Sequence, residues 1–159
     1  MKTLIAYGTK YGCAEKCAIE LSKELNDDQV ILINLKNNNK IEIDKYERVI
    51  IGGSAYIGKI QKEVTEFINN NLNELMKKDI GLFICGMQEG DAMEKEIADN
   101  FPAGLLSKAK SVQNFGGEFI FKKMNFMDKA IVKKIVKVSS DKSDINHGNI
   151  KKLATDLNI

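Results

Sequence analysis

The chain has 159 residues, 43% hydrophobic and 29% charged, with a formal net charge of +2, the composition of a soluble globular protein of one-domain size. Its three cysteines form no repeating framework, Arg48 is its only arginine, and no apolar run approaches the length needed to cross a bilayer. A disulfide scaffold, a nucleic-acid reader built on guanidinium groups and a membrane-spanning protein are excluded, and free thiols in a reducing cytoplasm are expected.

Lys2 to Tyr7 reads as a short, mostly apolar strand. The turn that follows leads into a helix on which Ala14, Cys17, Ala18, Leu21 and Leu25 recur at helical spacing. Gln29 to Asn34 is a second strand and Lys36 to Lys40 a polar loop. Tyr46 to Gly52 is a third strand, apolar on both faces, and Gly53 to Gly58 a loop. Ile60, Val64, Phe67 and Ile68 mark a helix expected to end near Asn70-Asn71. Ile80 to Cys85 is a fourth strand, followed by a loop from Gly86 to Gly90. Met93, Ile97 and Phe101 predict a helix stopped by Pro102, the only proline. Val112 to Phe121 reads as a fifth strand interrupted by Gly116-Gly117. Helices are expected at about 125–138 and 146–157, separated by the polar segment Ser139 to Asp144. With no repeat and no linker, 1–159 reads as a single domain.

Strands that alternate with helices and are apolar on both faces predict a parallel sheet between two helix layers, an α/β three-layer sandwich. Five strands fit the order 2-1-3-4-5, whose ligand crevice lies at the carboxyl ends of strands 1 and 3. The loops after strands 1, 3 and 4 are therefore the places to look for chemistry. The first, Tyr7-Gly8-Thr9-Lys10-Tyr11-Gly12-Cys13-Ala14, leaves a strand and opens a helix. Its unpaired N–H groups, with the positive end of the helix dipole behind them, form an anion site suited to a phosphate.

That run resembles the FMN-phosphate loop of the flavodoxin family, whose usual form is hydroxyl-x-Thr-Gly-x-Thr. Thr9 and Gly12 match it, while Tyr11 and Ala14 stand where threonines are usual. The resemblance implies that Thr9 and the N–H groups of Lys10, Tyr11, Gly12, Cys13 and Ala14 hold the phosphate. Gly52 to Gly58 is similar to the flavodoxin loop along one face of the isoalloxazine ring, with Ser54, Ala55, Ile57 and Gly58 letting backbone approach and Tyr56 placed to stack. Cys85, Gly86 and Met87 occupy the loop that covers the other face; with no tryptophan in the chain, Met87 is the nearest candidate for ring contact. Met1 to Ile5, Tyr46 to Gly58 and a helix after Phe121 resemble the short-chain, menaquinone-dependent protoporphyrinogen oxidases, which carry an insertion here spanning about 119–143.

Other readings of the same residues are weaker. Gly53 to Lys59 approaches a nucleotide-binding P-loop, but Ile60 stands where a magnesium-holding Ser or Thr belongs. Cys13 and Cys17 lie one helical turn apart without a recognisable third ligand, which favours core thiols, with thiolate character open at Cys13. Asp141 to Asp144 hints at a calcium loop but lacks the closing glutamate, and His147 reads as a solvated loop histidine. Lys122 to Lys137 alternates lysines with Met124, Phe126, Met127, Ile131, Val132, Ile135 and Val136. This basic amphipathic helix either packs on its own sheet or meets an anionic membrane surface, substrate or partner.

The expectation is thus a flavodoxin-like domain binding FMN, with no side chain standing out as a catalytic acid or base. As an oxidoreductase of the protoporphyrinogen oxidase type it would pass electrons to a quinone, take an anionic tetrapyrrole and touch the inner face of the membrane through residues 122–137. The alternative is a flavodoxin-type carrier that serves a redox partner protein and has no substrate of its own. Nucleic acid is not an expected partner.

Overall fold

A computed structural model of the chain describes residues 1–37, 40–135 and 141–159. Its centre is a five-stranded parallel sheet, β1 (Lys2–Tyr7), β2 (Gln29–Asn34), β3 (Arg48–Ser54), β4 (Asp79–Cys85) and β5 (Ser111–Asn114), in the expected order 2-1-3-4-5. The register aligns Tyr7 with Gly52 and Ser54 with Cys85. The carboxyl ends of β1, β3 and β4 therefore form one rim.

Alternation along the strands divides the core in two. Leu4, Ala6, Val49, Ile51, Leu82 and Ile84 face α2 (Lys62–Leu75) and the short α4 (Ala103–Lys108), which follows α3 (Gly90–Asn100). Ile5, Tyr7, Ile50, Phe83 and Cys85 face α1 (Cys13–Glu24) and α6 (His147–Leu157). Phe83 stacks on Phe115 with ring centroids 4.6 Å apart. The ring of Phe83 fills the space a side chain at position 52 would need, so Gly52 is obligatory there.

At the amino-terminal rim, Arg48 is buried. It donates to both oxygens of Asp27 (2.8 and 2.9 Å), to Asp79 (3.0 Å) and to the Leu157 carbonyl. The guanidinium thereby ties β3 to β4, to the segment before β2 and to the end of α6.

Several boundaries differ from expectation. Strand β3 starts at Arg48 and runs to Ser54, inside the expected loop. Helix α2 continues past Asn70-Asn71 to Leu75, because buried Leu75 extends its apolar face and the Asn71 amide donates to the Phe67 carbonyl rather than breaking the turn. Pro102 both ends the approach from α3 and stands at the start of α4, a helix the periodicity did not show. The expected fifth strand is two strands. Asn114 accepts from Gly86 N and Gly116 N, and Gly116 turns with φ +73°, so the chain leaves the sheet. It continues as β6 (Gly116–Phe119), which pairs antiparallel with β7 (Lys142–Ile145), where a polar spacer was expected. The helix expected at about 125–138 is α5 (Phe126–Ile135); Val136 to Ser140, like Asn38 and Asn39 of the polar loop, lie outside the described residues. Among the described residues, no helix is long and apolar enough to cross a membrane.

Candidate functional site

The turn after β1 is closed from within. The Thr9 hydroxyl accepts from Gly12 N at 2.9 Å, and Gly12, at φ +97°, caps α1 in a conformation that favours glycine. Thr9 and Gly12 thus shape the turn. Ala14 is fully buried beneath it, and Lys10, Tyr11 and Cys13 reach the cleft above.

The loop after β3 is staked at both ends. Gln61 at the start of α2 accepts from Ser54 N (3.0 Å) and donates to Ser54 O (2.9 Å). Asn100 at the end of α3 donates to Gly58 O (2.9 Å) and accepts from Ile60 N (3.0 Å). Between these stakes Tyr56 and Lys59 exchange backbone hydrogen bonds, which throws Ile57 to the tip. Ile57 is 63% exposed at φ +50°, a backbone region that costs a β-branched residue about 1–2 kcal/mol. Ser54, Ala55, Tyr56, Ile57 and Gly58 all line the cleft.

The loop after β4 completes the rim. Cys85 O accepts from Ala55 N (2.7 Å), and Asn114 holds Gly86 N and the Gln88 carbonyl. Cys85, Gly86 and Met87 line the cleft, as does Glu96 from α3. The Glu96 carboxylate lies directly over Gly86, so any larger residue there would displace it. Burial raises the Glu96 carboxyl above its ordinary range. Two buried oxygen atoms of this rim, Ser54 Oγ and Glu96 Oε1, have no hydrogen-bond partner among the described residues. Buried polar atoms are ordinarily paired, so an orphaned pair at the rim of a cleft points to a ligand with complementary polar edges.

The fourth wall comes from the segment after β5. Gly117, Glu118 and Phe119 of β6 and Met124, Ile131 and Val132 around α5 close the side opposite the sheet. Helix α5 is latched by Asp128, which is 5% exposed. Its carboxylate accepts from the hydroxyls of Tyr11 and Tyr56 and pairs with Lys10 Nζ at 2.7 Å. Burial opposes the charge on Asp128, but these donors outweigh it and hold the carboxyl below its ordinary range. Burial and the same carboxylate push Tyr11 and Tyr56 up to about 12. Lys10 Nζ sits 4.0 Å from the centroid of the Tyr56 ring, so one ring face is already taken by a cation. On β6, Glu118 pairs with Lys16 of α1 at 2.7 Å.

The resulting cleft holds about 970 Å³ of empty space, open solvent at its mouth included. Sequence reading found the three loops but missed Gln61, Glu96, Asn114 and Asp128. Only Asp128 carried a signal, as the single acid in the lysine-rich run 122–137.

A family model described as a flavodoxin domain matches residues 4–146. A protein from Leishmania major named protoporphyrinogen IX dehydrogenase [quinone] is 20% identical over 151 residues, covering 90% of this chain. The chain spans 65% of that relative's length. The structure of rubredoxin oxygen:oxidoreductase from Desulfovibrio gigas matches 98% of the chain with TM-score 0.52 and 16% identity, and the chain spans 35% of it. A flavodoxin from Fusobacterium nucleatum, solved bound to flavin mononucleotide, matches with TM-score 0.53 and 19% identity over 98% of this chain and 96% of its own.

Proposed function

The chain belongs to the flavodoxin domain family, and from that premise we propose that it binds FMN noncovalently in the rim cleft and serves in electron transfer. The observation that carries this reading is the convergence of the three loops after β1, β3 and β4 on one cleft edged by two unpartnered oxygens, Ser54 Oγ and Glu96 Oε1. The residues fit the group. A narrow turn closed by Thr9 and Gly12 at the start of α1 suits a phosphate, and orphaned polar atoms suit the donor and acceptor edge of a flavin ring. When bound, FMN supplies the one- and two-electron chemistry.

The chain's own residues position and shield. Lys10, Tyr11, Gly12, Cys13 and Ala14 frame the phosphate turn, with Thr9 bracing it. Ser54 to Gly58 form one wall, and Gln61 and Asn100 keep that wall from shifting. Cys85, Gly86 and Met87 form the facing wall, and Met124, Ile131 and Val132 exclude water from the far side. Tyr56 offers the ring face that Lys10 leaves open.

The name of the Leishmania relative supports a finer reading, oxidation of an anionic tetrapyrrole with a quinone as acceptor. Lys122, Lys123, Lys133 and Lys134 are exposed, as are Phe126 and Met127 at 86% and 71%. Such a surface suits an anionic substrate or the inner face of a membrane. A redox partner protein is the counterpart for a carrier.

Two measurements decide. Purified protein, as isolated or after incubation with FMN, is expected to show the absorbance of oxidised flavin; a colourless chain that quenches no FMN fluorescence overturns the proposal. Porphyrinogen oxidation with a menaquinone analogue then marks an enzyme. Electron exchange with a reductase and no such turnover marks a carrier.

A further inference from the structure

All three cysteines of the chain come together in one place. Cys13 opens α1, Cys17 lies one turn further along it, and Cys85 ends β4 beneath the cleft. Their sulfur atoms lie within 4.8 Å of one another, and all three residues are buried. We propose that Cys13, Cys17 and Cys85 form a three-sulfur site for one soft monovalent cation, Cu(I). The sulfur geometry stands without flavin, although Cys13 and Cys85 also line the cleft in which FMN is proposed to bind.

Geometry and donor chemistry choose the metal. Three thiolates at about 2.3 Å around a metal stand roughly 4 Å apart, so sulfur atoms within 4.8 Å need only small side-chain rotations to enclose an ion. The cluster contains no His, Asp or Glu. Zinc would lack its usual fourth ligand, whereas Cu(I) is selected by soft sulfur donors. Ile5, Leu21, Phe83 and Phe115, apolar and fully buried, belong to the same core cluster as the three cysteines. The negative charge that binding concentrates lies at the amino-terminal end of α1, whose dipole opposes it. Cys13 and Cys85 also line the cleft, so the metal has a path from solvent, with Cys17 as the inner third ligand.

The binding step is a ligand exchange. Each Cu–S bond that forms replaces an S–H bond and releases one proton to solvent; copper stays monovalent and no electron moves. The experiment titrates the reduced, flavin-free chain with Cu(I) under anaerobic conditions, in competition with a chromophoric Cu(I) chelator. One copper per chain is expected, with three sulfur neighbours at about 2.3 Å in X-ray absorption. Cys17→Ser, checked for fold by circular dichroism, is expected to weaken binding by roughly 100-fold and to remove one sulfur neighbour. No copper in competition with the chelator, two-sulfur coordination in the natural chain, or unchanged affinity in Cys17→Ser each overturn the site. A preference for Zn(II) over Cu(I) overturns the choice of metal. The X-ray absorption of the natural chain decides even where the variant does not fold.

Discussion

The Tyr56 hydroxyl donates to the carboxylate of Asp128, linking the wall formed by the β3–α2 loop to the helix that covers it. The same carboxylate takes Tyr11 and Lys10 from the β1–α1 loop. One acidic side chain thus joins three segments far apart in sequence, and α5 stays over the cleft because of it. Met124, Ile131 and Val132 contribute apolar contact to the lid, but charged hydrogen bonds fix its position.

Asp128→Ala is therefore expected to loosen α5 without unfolding the sheet. Loss of hydrogen bonds to a charged group costs about 1.5–3 kcal/mol. Amide exchange across 126–134 should speed up by an order of magnitude or more, while β1, β3 and β4 keep their protection. FMN should leave the variant faster, on the order of tenfold, as followed by recovery of its fluorescence after dilution. Unchanged exchange in α5 would show that apolar contact alone holds the lid.

The latch also sets a pH window. Asp128 has a lowered pKa in the folded state, so its contribution is complete above the unfolded carboxyl value of about 3.9 and is lost as pH falls through the lower folded value. Tyr11 and Tyr56 are raised to about 12, so theirs is complete below about 10 and is lost as pH rises toward the folded value. Between those limits exchange from α5, corrected for its intrinsic pH dependence, should be flat. Asp128→Asn should abolish the acid limb and, because the carboxylate also raises the two tyrosines, shrink the alkaline limb to the part that burial supplies.

Glu96 points the other way. Its carboxyl is raised by burial over Gly86, so the ionised form carries a desolvation cost near neutrality. Glu96→Gln should raise the Tm at pH 7 by a few degrees, the effect of about 1 kcal/mol in a domain of this size. The gain should vanish below about pH 4.3, where the unfolded carboxyl is also protonated. A gain that persists at pH 3 would assign the effect to packing instead of charge.

What could be read ahead of the structure follows from where the information lies. Unbroken apolar strands such as Ile80 to Cys85 and the helical stripe Ala14, Cys17, Ala18, Leu21 are local patterns that mark the elements and the three rim loops, and five such strands alternating with helices fit the order the sheet has. The β6–β7 pair was hidden because Lys142 to Ile145 has little apolar alternation and pairs only once Gly116 turns the chain. Gln61, Asn100 and Asn114 act by bonding backbone of other segments, a role no spacing announces. Cys85 joins Cys13 and Cys17 only through the closeness of β4 and α1.

Arg48 provides a test that separates fold from site. It lies at the amino-terminal rim, the opposite end of the sheet from the cleft, and binds Asp27, Asp79 and the Leu157 carbonyl. Arg48→Ala leaves Asp27 buried without its cation, while Asp79 keeps Lys110 at 3.0 Å. Breaking a buried pair in this way costs about 3–5 kcal/mol, a Tm drop on the order of 6–20 °C. Arg48→Lys keeps the charge but cannot reproduce the planar fork to two carboxylates and a carbonyl, so it should lose less, with the deficit visible in urea midpoints. Neither change touches the β1, β3 or β4 loops. At a temperature where both variants remain folded, FMN affinity should match that of the natural chain within about twofold. A large loss of affinity with an unchanged urea midpoint would mean that the two rims are coupled through the strands.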